Sequence, residues 1–285
     1  GLAKGKGVFV CDEPSEGILA AEKIMVDRIF DDAGNTVIVE DKLLGEEASI
    51  LAFVDGRSIY VMESSQDHKP IGEGDTGPNT GGMGAYSPAP VVTPESHDRI
   101  VETVIEPTVR GMAEEGNPFT GFLYAGVMID EHGTPKVLEY NVRFGDPETQ
   151  PIMMRLKSDL VQHCIDAIDG KLDQVSADWD ERTSLGVVLA AGGYPESYDK
   201  GDVISGLEDT ETETTKIFHA GTSEKDGNVV TDGGRVLCAV ALGKSVTEAQ
   251  RNAYQLVDGV SWHKMYYRTD IGHRAIKREA VNNHS

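Results

Sequence analysis

The sequence predicts a mixed α+β (α/β) protein, on three observations. Apolar stripes of helical period alternate with short runs of strand-like residues. Neighbouring strand runs are joined by tight turns, as in hairpins. Beyond Arg182 the pattern turns to mostly strands. With 39% hydrophobic residues and 32 Gly, a chain of 285 residues can bury a core, and its length suits two domains, or one large domain with an appendage.

In order, residues 8–10 predict a strand. Residues 16–30 predict a helix, with Ile18, Leu19, Ile24 (or Ala21) and Ile29 as its apolar stripe and Ser15 as N-cap. Residues 36–39 read as a strand, and the connection 40–45 leads to another at 47–54. Asp55-Gly56 is a hairpin turn, with a return strand at 58–62. Residues 64–86 read as a long polar loop, in which six of the thirteen residues 72–84 are Gly. Thr93-Pro94 opens a helix whose apolar face is Ile100, Val101, Val104 and Ile105, kinked or divided at Pro107. Strands at 122–129 and 136–142 flank the turn 130–133. Then come a loop at 145–150 and one helix at 152–168. The polar segment 169–182 is a candidate boundary. Strands at 185–191, 216–221, 229–230 and 236–242 follow, then a helix at 246–257 with Thr247 near its cap.

Charge excludes one class of function. The 26 Lys+Arg stand against 48 Asp+Glu, a net −22, and such a surface repels nucleic-acid phosphates. The acid is scattered, which reads as solubility, or else as adaptation to a salt-rich cytoplasm. Residues 251–285 reverse the sign: Arg251, Lys264, Arg268, Arg274, Lys277 and Arg278 outnumber Asp258, Asp270 and Glu279. Cys11, Cys164 and Cys238 form no CxxC pair, which fits a reducing cytoplasm. No apolar stretch approaches the length of a membrane span. No signal-peptide pattern opens the chain, which looks instead like one that begins inside a domain.

Four segments could carry chemistry. In the run 136–143, period two places Glu139, Asn141 and Arg143 on one face. The first two are hard oxygen donors suited to Mg²⁺, and the guanidinium can grip a phosphate. A solvated face with a surface ion pair is an equal alternative. The loop Lys4-Gly5-Lys6-Gly7 has the composition of a phosphate cradle but no Walker spacing, and a frayed end competes with that reading. The connection 40–47 could offer backbone groups to a purine and an acid to a ribose, or be an acidic solvated turn. The glycine-rich run Asp75 to Gly84 is costly to order, which favours a binding role. Asp67-His68-Lys69 reads equally as a polar contact or a surface loop.

Several stretches resemble one family. They are GLAKGKGV at 1–8, VEDKLLGEEAS at 39–49, SQDHK at 65–69, DTGPNTGGMGAYSP at 75–88, GFLYAG at 121–126, EYNVRFGDPETQP at 139–151 and AAGGYP at 190–195. Together they resemble the glycinamide ribonucleotide synthetases, ATP-grasp enzymes of purine synthesis. The resemblance implies an ATP-grasp fold with a mostly β C-terminal domain. It divides the chain into a partial small lobe (1–55), a large lobe (56–175) and a C-terminal domain (183–285). It implies ligation of glycine to 5-phosphoribosylamine through a glycyl phosphate, with ATP as co-substrate and Mg²⁺ or Mn²⁺ as cofactor. Nucleic-acid and membrane partners are not expected, and the oligomeric state is left open, a monomer being compatible.

Residue by residue, the resemblance makes Glu139 and Asn141 the metal ligands and Arg143 the catalytic stabiliser of the transferring phosphoryl group. Glu40, Asp41 and Leu43 become the adenine hinge, Glu47 the ribose contact, and Lys4, Gly5, Lys6 and Gly7 the lid over the phosphates. Asp75, Thr76, Gly77, Pro78 and Asn79, with Gly145, Asp146 and Glu148, shape the substrate sites. Two departures stand out. Gly126 occupies a place where many ATP-grasp enzymes carry a further metal-binding acid. The family's N-terminal domain, with a strand ending in Lys-Ala-Asp, is not found ahead of the glycine loop. A non-catalytic fragment and a different ATP-grasp carboxylate–amine ligase are therefore the competing expectations.

Overall fold

The computed structural model describes residues 7–208 and 210–282. Its helices are α1 (Pro14–Met25), α2 (Pro94–Ile100), α3 (Glu106–Glu114), α4 (Thr149–Arg155), α5 (Leu160–Ile168), α6 (Val246–Gly259) and α7 (His273–Asn282). Its strands are β1 (Glu46–Asp55), β2 (Ile59–Val61), β3 (Gln66–Asp67), β4 (Pro70–Gly72), β5 (Thr76–Asn79), β6 (Gly84–Ser87), β7 (Thr120–Ile129) and β8 (Pro135–Asn141). β9 (Thr183–Ala190), β10 (Thr215–His219), β11 (Thr222–Lys225), β12 (Asn228–Thr231) and β13 (Arg235–Gly243) complete them.

An antiparallel sheet in the order β2-β1-β7-β8 carries the predicted metal-binding strand. Both of its hairpins are closed by an aspartate. Asp55 Oδ1 accepts from the N–H groups of Arg57 and Ser58 at 3.1 and 2.7 Å, and Asp130 Oδ1 from those of His132 and Thr134 at 2.9 and 2.8 Å. One face of the sheet is apolar along most of β1 and β7. Ala48, Ile50, Ala52 and Val54 of β1, with Leu123, Ala125, Val127 and Ile129 of β7, pack against Ile100, Val104, Ile105 and Val109. On the other face Leu51, Phe53 and Tyr124 meet Ile152, Ala167 and Leu172. That face is apolar at one end only, and its other end builds the site.

Pro107 does not divide its helix. Residues 94–114 stay helical through a π segment at Val101–Ile105, in which Glu106 N–H reaches back to Val101 O. The carbonyl that a helical Pro107 would crowd belongs to Thr103, inside this relaxed turn. The helix expected at 152–168 is in fact two. Backbone bonds from Lys157 N–H to Asp178 O and from Asp180 N–H to Arg155 O interrupt it, and Asp159 caps α5 through the N–H of Val161 at 2.8 Å.

The second sheet runs β10-β13-β9-β6-β3 and is antiparallel throughout. Its core joins Leu185, Val187, Leu189, Leu237, Ala239 and Ala241 to Ala249, Ala253 and Val257 of α6. α6 is capped by Ser245, which accepts from Glu248 N–H, with Thr247 in the first turn beside it. The expected loop at 64–86 is folded: β3 and the fully buried β6 are strands of this sheet, and β4 and β5 form a hairpin between them. β6 pairs with Ser184 to Val187 of β9, far along the chain, so no local hydrophobic period marks it as a strand.

Residues 8–10 and 36–39 form no strand. Val8, Val10, Ile38 and Val39 are 66–91% exposed, and an unpaired strand has nothing to hold its extended backbone. α1 ends at Met25, short of Phe30, where Arg28 and Asp31 take positive φ, and its first residue is Pro14 rather than one following a Ser15 cap. Cys11, Cys164 and Cys238 are free thiols. Among the described residues no helix is long and apolar enough to cross a membrane.

Candidate active site

Sheet register assembles the site. Ser49, Gly126 and Glu139 are successive cross-strand partners, as are Leu51, Tyr124 and Asn141. Cross-strand partners point to the same side, so Glu47, Ser49, Tyr124, Glu139 and Asn141 share one end of one face. Asn141 Nδ2 donates to Glu139 Oε1 at 3.3 Å, so these two side chains do converge. Gly126 opposite them lacks a Cβ, and one placed there would lie 3.3 Å from Glu139 Cγ. The glycine keeps the oxygen donors uncovered.

Two further segments close over this end. The loop after β8 brings in Glu148, which is buried. Its Oε1 lies 2.9 Å from Ser49 Oγ and 3.1 Å from Tyr124 Oη, and these hydroxyls are 2.8 Å apart. Burial and the Glu148 charge push the Tyr124 phenol up, so it stays protonated. A Cβ on Gly145 would lie 2.5 Å from Glu148 Oε2, so a side chain there would force Glu148 to shift. From the other side comes Lys69, whose ammonium pairs with Glu47 and lies 4.0 Å from Asp67. Burial opposes that charge, but Asp67 and Glu47, with Glu139 behind them, hold Lys69 above its ordinary value. One lysine cannot neutralise all these acids. Burial pushes the Asp67 carboxyl up to about 8 despite Lys69, with the Glu148 and Glu47 charges adding to the effect.

A second polar knot lies at the start of the glycine-rich run. Asp75 Oδ1 accepts from His68 Nδ1 at 3.0 Å and Arg268 Nη1 at 2.9 Å. Its Oδ2 accepts from Arg274 Nη2 at 2.6 Å and lies 3.2 Å from His273 Nε2. Gly272 N–H donates to His68 Nε2 at 2.9 Å, so the imidazole is neutral with its proton on Nδ1. Burial likewise pushes His68 down. Against the cost of burial, the His68, Arg274 and Arg268 donors hold Asp75 well below the usual carboxylate range. His68, Asp75 and His273 converge closely enough to suggest a metal. Two arginines on the carboxylate and a backbone donor on the imidazole make the group an ion-pair knot instead.

At the other end of the run, Arg235 joins two loops. Its Nη1 donates to Gly81 O at 2.6 Å and to Asp146 O at 3.0 Å, and its Nη2 to Asp146 Oδ2 at 2.8 Å. Gly81 N–H donates to Tyr194 Oη at 3.0 Å.

The phosphoribosylglycinamide synthetase ATP-grasp (A) domain model matches residues 1–149, and the C domain model of the same synthetase matches residues 184–274. The chain belongs to the phosphoribosylglycinamide synthetase family. The expected ATP-grasp fold is thereby established. Among relatives of the family, the phosphoribosylamine–glycine ligase of Vibrio parahaemolyticus is 64% identical over 279 residues, covering 98% of this chain and 65% of its own length. That of Pseudomonas aeruginosa is 58% identical over the same shares. The chain thus spans about two thirds, 65%, of the length of these relatives. The crystal structure of the Thermotoga maritima phosphoribosylamine–glycine ligase has a TM-score of 0.83 at 36% identity, covering 95% of this chain and 67% of that one. A biotin carboxylase domain from Hydrogenobacter thermophilus, at 13% identity and a TM-score of 0.67, shares the fold and covers 92% of this chain and 56% of that one.

Within this synthetase-family framework the sequence-predicted residues separate into groups. Glu47, Glu139, Asn141, Gly145 and Glu148 meet at the polar end of the sheet face. Arg143 lies past the end of β8, and its Nη1 donates to its neighbour's carbonyl, Phe144 O, at 2.8 Å. Asp75 is turned to the C-terminal arginines. Thr76, Gly77, Pro78 and Asn79 form the exposed β5. Asp146 is held by Arg235. Glu40, Asp41 and Leu43 lie in the irregular run before β1, and Gly7 in the irregular run before α1. Lys4, Gly5 and Lys6 lie outside the described residues. Sequence reasoning assigns no role to Asp67, Lys69, Arg235 or Arg268, which the structure places in the two knots and between the loops. The reversal of charge after residue 251 is the available signal for Arg268 and Arg274. The charged triplet 67–69 is the signal for the first two, obscured because it reads as surface.

Proposed function

We propose that this chain carries the greater part of the machinery that joins glycine to 5-phosphoribosylamine. The reaction uses ATP and yields glycinamide ribonucleotide, ADP and phosphate. The observation that supports it best is the convergence of Glu139 and Asn141 on a sheet face backed by Gly126 and flanked by Lys69, in a chain of this family. The donor set fits a divalent cation: one carboxylate and one amide oxygen, on a strand open to solvent, with no Cβ across from them. Glu139 and Asn141 would hold that ion, Mg²⁺ or Mn²⁺. When bound, it neutralises phosphate charge.

The chemistry has two steps. The glycine carboxylate attacks the γ-phosphorus of ATP, giving glycyl phosphate and ADP. The amine of phosphoribosylamine then attacks the acyl carbon, phosphate leaves, and the amine loses a proton. Arg143 is the residue for charge on the transferring phosphoryl group, since it is exposed beside the metal-binding strand. Glu47 and the run 40–43 serve the nucleotide, with Lys4, Gly5, Lys6 and Gly7 over its phosphates. The glycine-rich run with Gly145, Asp146 and Glu148 serves the two acceptors. Asp67, which holds a proton near neutrality, and Lys69 set the charge of the pocket between them. A cytoplasmic location accords with this reading.

The test is ADP release with glycine and phosphoribosylamine, run on the 285-residue chain and on the full-length gene product. Turnover that needs both acceptors and falls at least about a hundredfold in Glu139→Ala supports the reading. Turnover that ignores glycine, or survives Glu139→Ala, refutes it. ADP release by the full-length product alone would identify the 285 residues as a non-catalytic portion.

A further inference from the structure

Arg235 opens β13, a strand of the second sheet, yet its guanidinium leaves that sheet and inserts between two loops of the candidate site. Gly81 O, Asp146 O and Asp146 Oδ2 take up both of its terminal nitrogens at 2.6, 3.0 and 2.8 Å. Only 20% of the side chain is exposed. The loops are shaped around it. A Cβ on Gly81 would lie 2.8 Å from the guanidinium carbon, and one on Gly82 would lie 2.3 Å from Pro147 Cδ. The two glycines therefore let the run settle against both the arginine and the opposite loop. Tyr194 secures the same point from the side. It accepts from Gly81 N–H at 3.0 Å, and its ring lies where a Cβ on Gly234 would come within 2.4 Å. Two residues beyond Asp146, Glu148 is bonded to Ser49 and Tyr124 under the metal-binding strand. A rigid path of bonded groups thus runs from the second sheet to the floor of the pocket.

We propose that Arg235 is a positioning residue that fixes the spacing between the glycine-rich run and the 145–148 loop, and so governs binding of the two acceptor substrates but not of the nucleotide. The assignment rests on the reading of those loops given under Proposed function. A planar guanidinium suits this role and an ammonium does not, because four acceptors from two loops, Gly82 O at 3.4 Å being the fourth, must be met by one rigid fork. A strut that only stabilised the fold would lower the amount of active protein and leave every KM unchanged.

The experiment combines kinetics and amide hydrogen exchange on the full-length gene product, for Arg235→Met and Arg235→Lys. Without the bonds to Asp146 and Gly81, Arg235→Met is expected to raise KM for glycine and phosphoribosylamine about tenfold, with KM for ATP within about twofold of wild type. Exchange should quicken at residues 80–82 and 145–149 and stay unchanged in the β11–β12 hairpin. Arg235→Lys keeps the charge beside Asp146 and should fall between the two; it carries the test if Arg235→Met does not fold. Unchanged acceptor KM with reduced kcat overturns the proposal, as does unchanged exchange at both loops, or an equal rise in KM for ATP. If the wild type shows no glycine-dependent turnover, the functional reading fails, while exchange still decides whether Arg235 couples the loops.

Discussion

Replacing Asp75 by Asn tests whether the ion-pair knot holds the glycine-rich run to the C-terminal segment. Asparagine keeps the shape and one acceptor oxygen, so Arg268 and His68 retain a weakened partner. It removes the charge and turns an amide donor towards Arg274 and His273. Arg268 is fully buried but keeps two bonds to Asp270 at 2.7 and 2.8 Å, which limits the loss. Arg274 and His273 are about one third exposed, 32% and 35%, so water recovers part of theirs. One charge-assisted bond lost outright and two weakened amount to about 3 kcal/mol, or a Tm about 5–10 °C lower in a chain of this size. The sign with pH follows from the carboxyl's depressed value in the fold. Its stabilisation is fully present above the unfolded value of 3.8 and is lost as pH falls through the folded one. Urea unfolding of the 285-residue chain at pH 7 and in acid is the assay. A variant within about 0.5 kcal/mol of wild type at pH 7 would refute the clamp, as would a difference that widens below pH 3.8.

Two further outcomes are expected. In Asp67→Asn, the stability measured by urea unfolding should rise relative to wild type between about pH 6 and pH 8, by an amount of order 1–2 kcal/mol. The Asp67 carboxyl lies far above its ordinary 3.8, so its contribution to stability fades as pH climbs towards 8; a flat difference would contradict its protonation. Gly82→Ala must place a Cβ 2.3 Å from Pro147 Cδ at a φ of +111°, whereas Gly74→Ala, at +65°, meets nothing within 4 Å. Differential scanning calorimetry should find the first costing about 2 kcal/mol or more and the second about 1 kcal/mol. Equal losses would mean that the two loops do not touch.

What could be read from the chain follows from how its information is stored. β1, β7, β8, β9 and β13 were legible because each alternates or runs apolar against a neighbour close in sequence or against a helix. Glu139 and Asn141 were legible for the same reason: period two is local, and the hairpin at Asp130 fixes the register. β6 was not legible. Its residues Gly84, Ala85, Tyr86 and Ser87 are wholly buried, but by β9, about a hundred residues onward, and no local period records that. Residues 8–10 and 36–39 failed in the opposite way, since their β propensity finds no strand to pair with among the described residues. Arg143 was placed by extending the period beyond Asn141, where β8 stops. Asp67 and Lys69 looked like surface because charge usually is. Lys69 meets Glu47 of β1, and the charge of Glu148, from the loop after β8, bears on Asp67.

The burial of β6 bears on how such a chain can be recombined. The polar segment 169–182 looks like the natural place to exchange parts between homologous enzymes. A crossover there would pair a new β9 with an old β6 and an old Asp75 with a new Arg268. Two tightly matched seams would then be drawn from different ancestors. Residues 64–88 should instead travel with residues 183–282 as one inheritable block, although a long stretch of chain separates them. Chimeras cut by that rule should keep their melting temperatures, and those cut only at the polar segment should lose them in proportion to the mismatches along β6 and around Asp75.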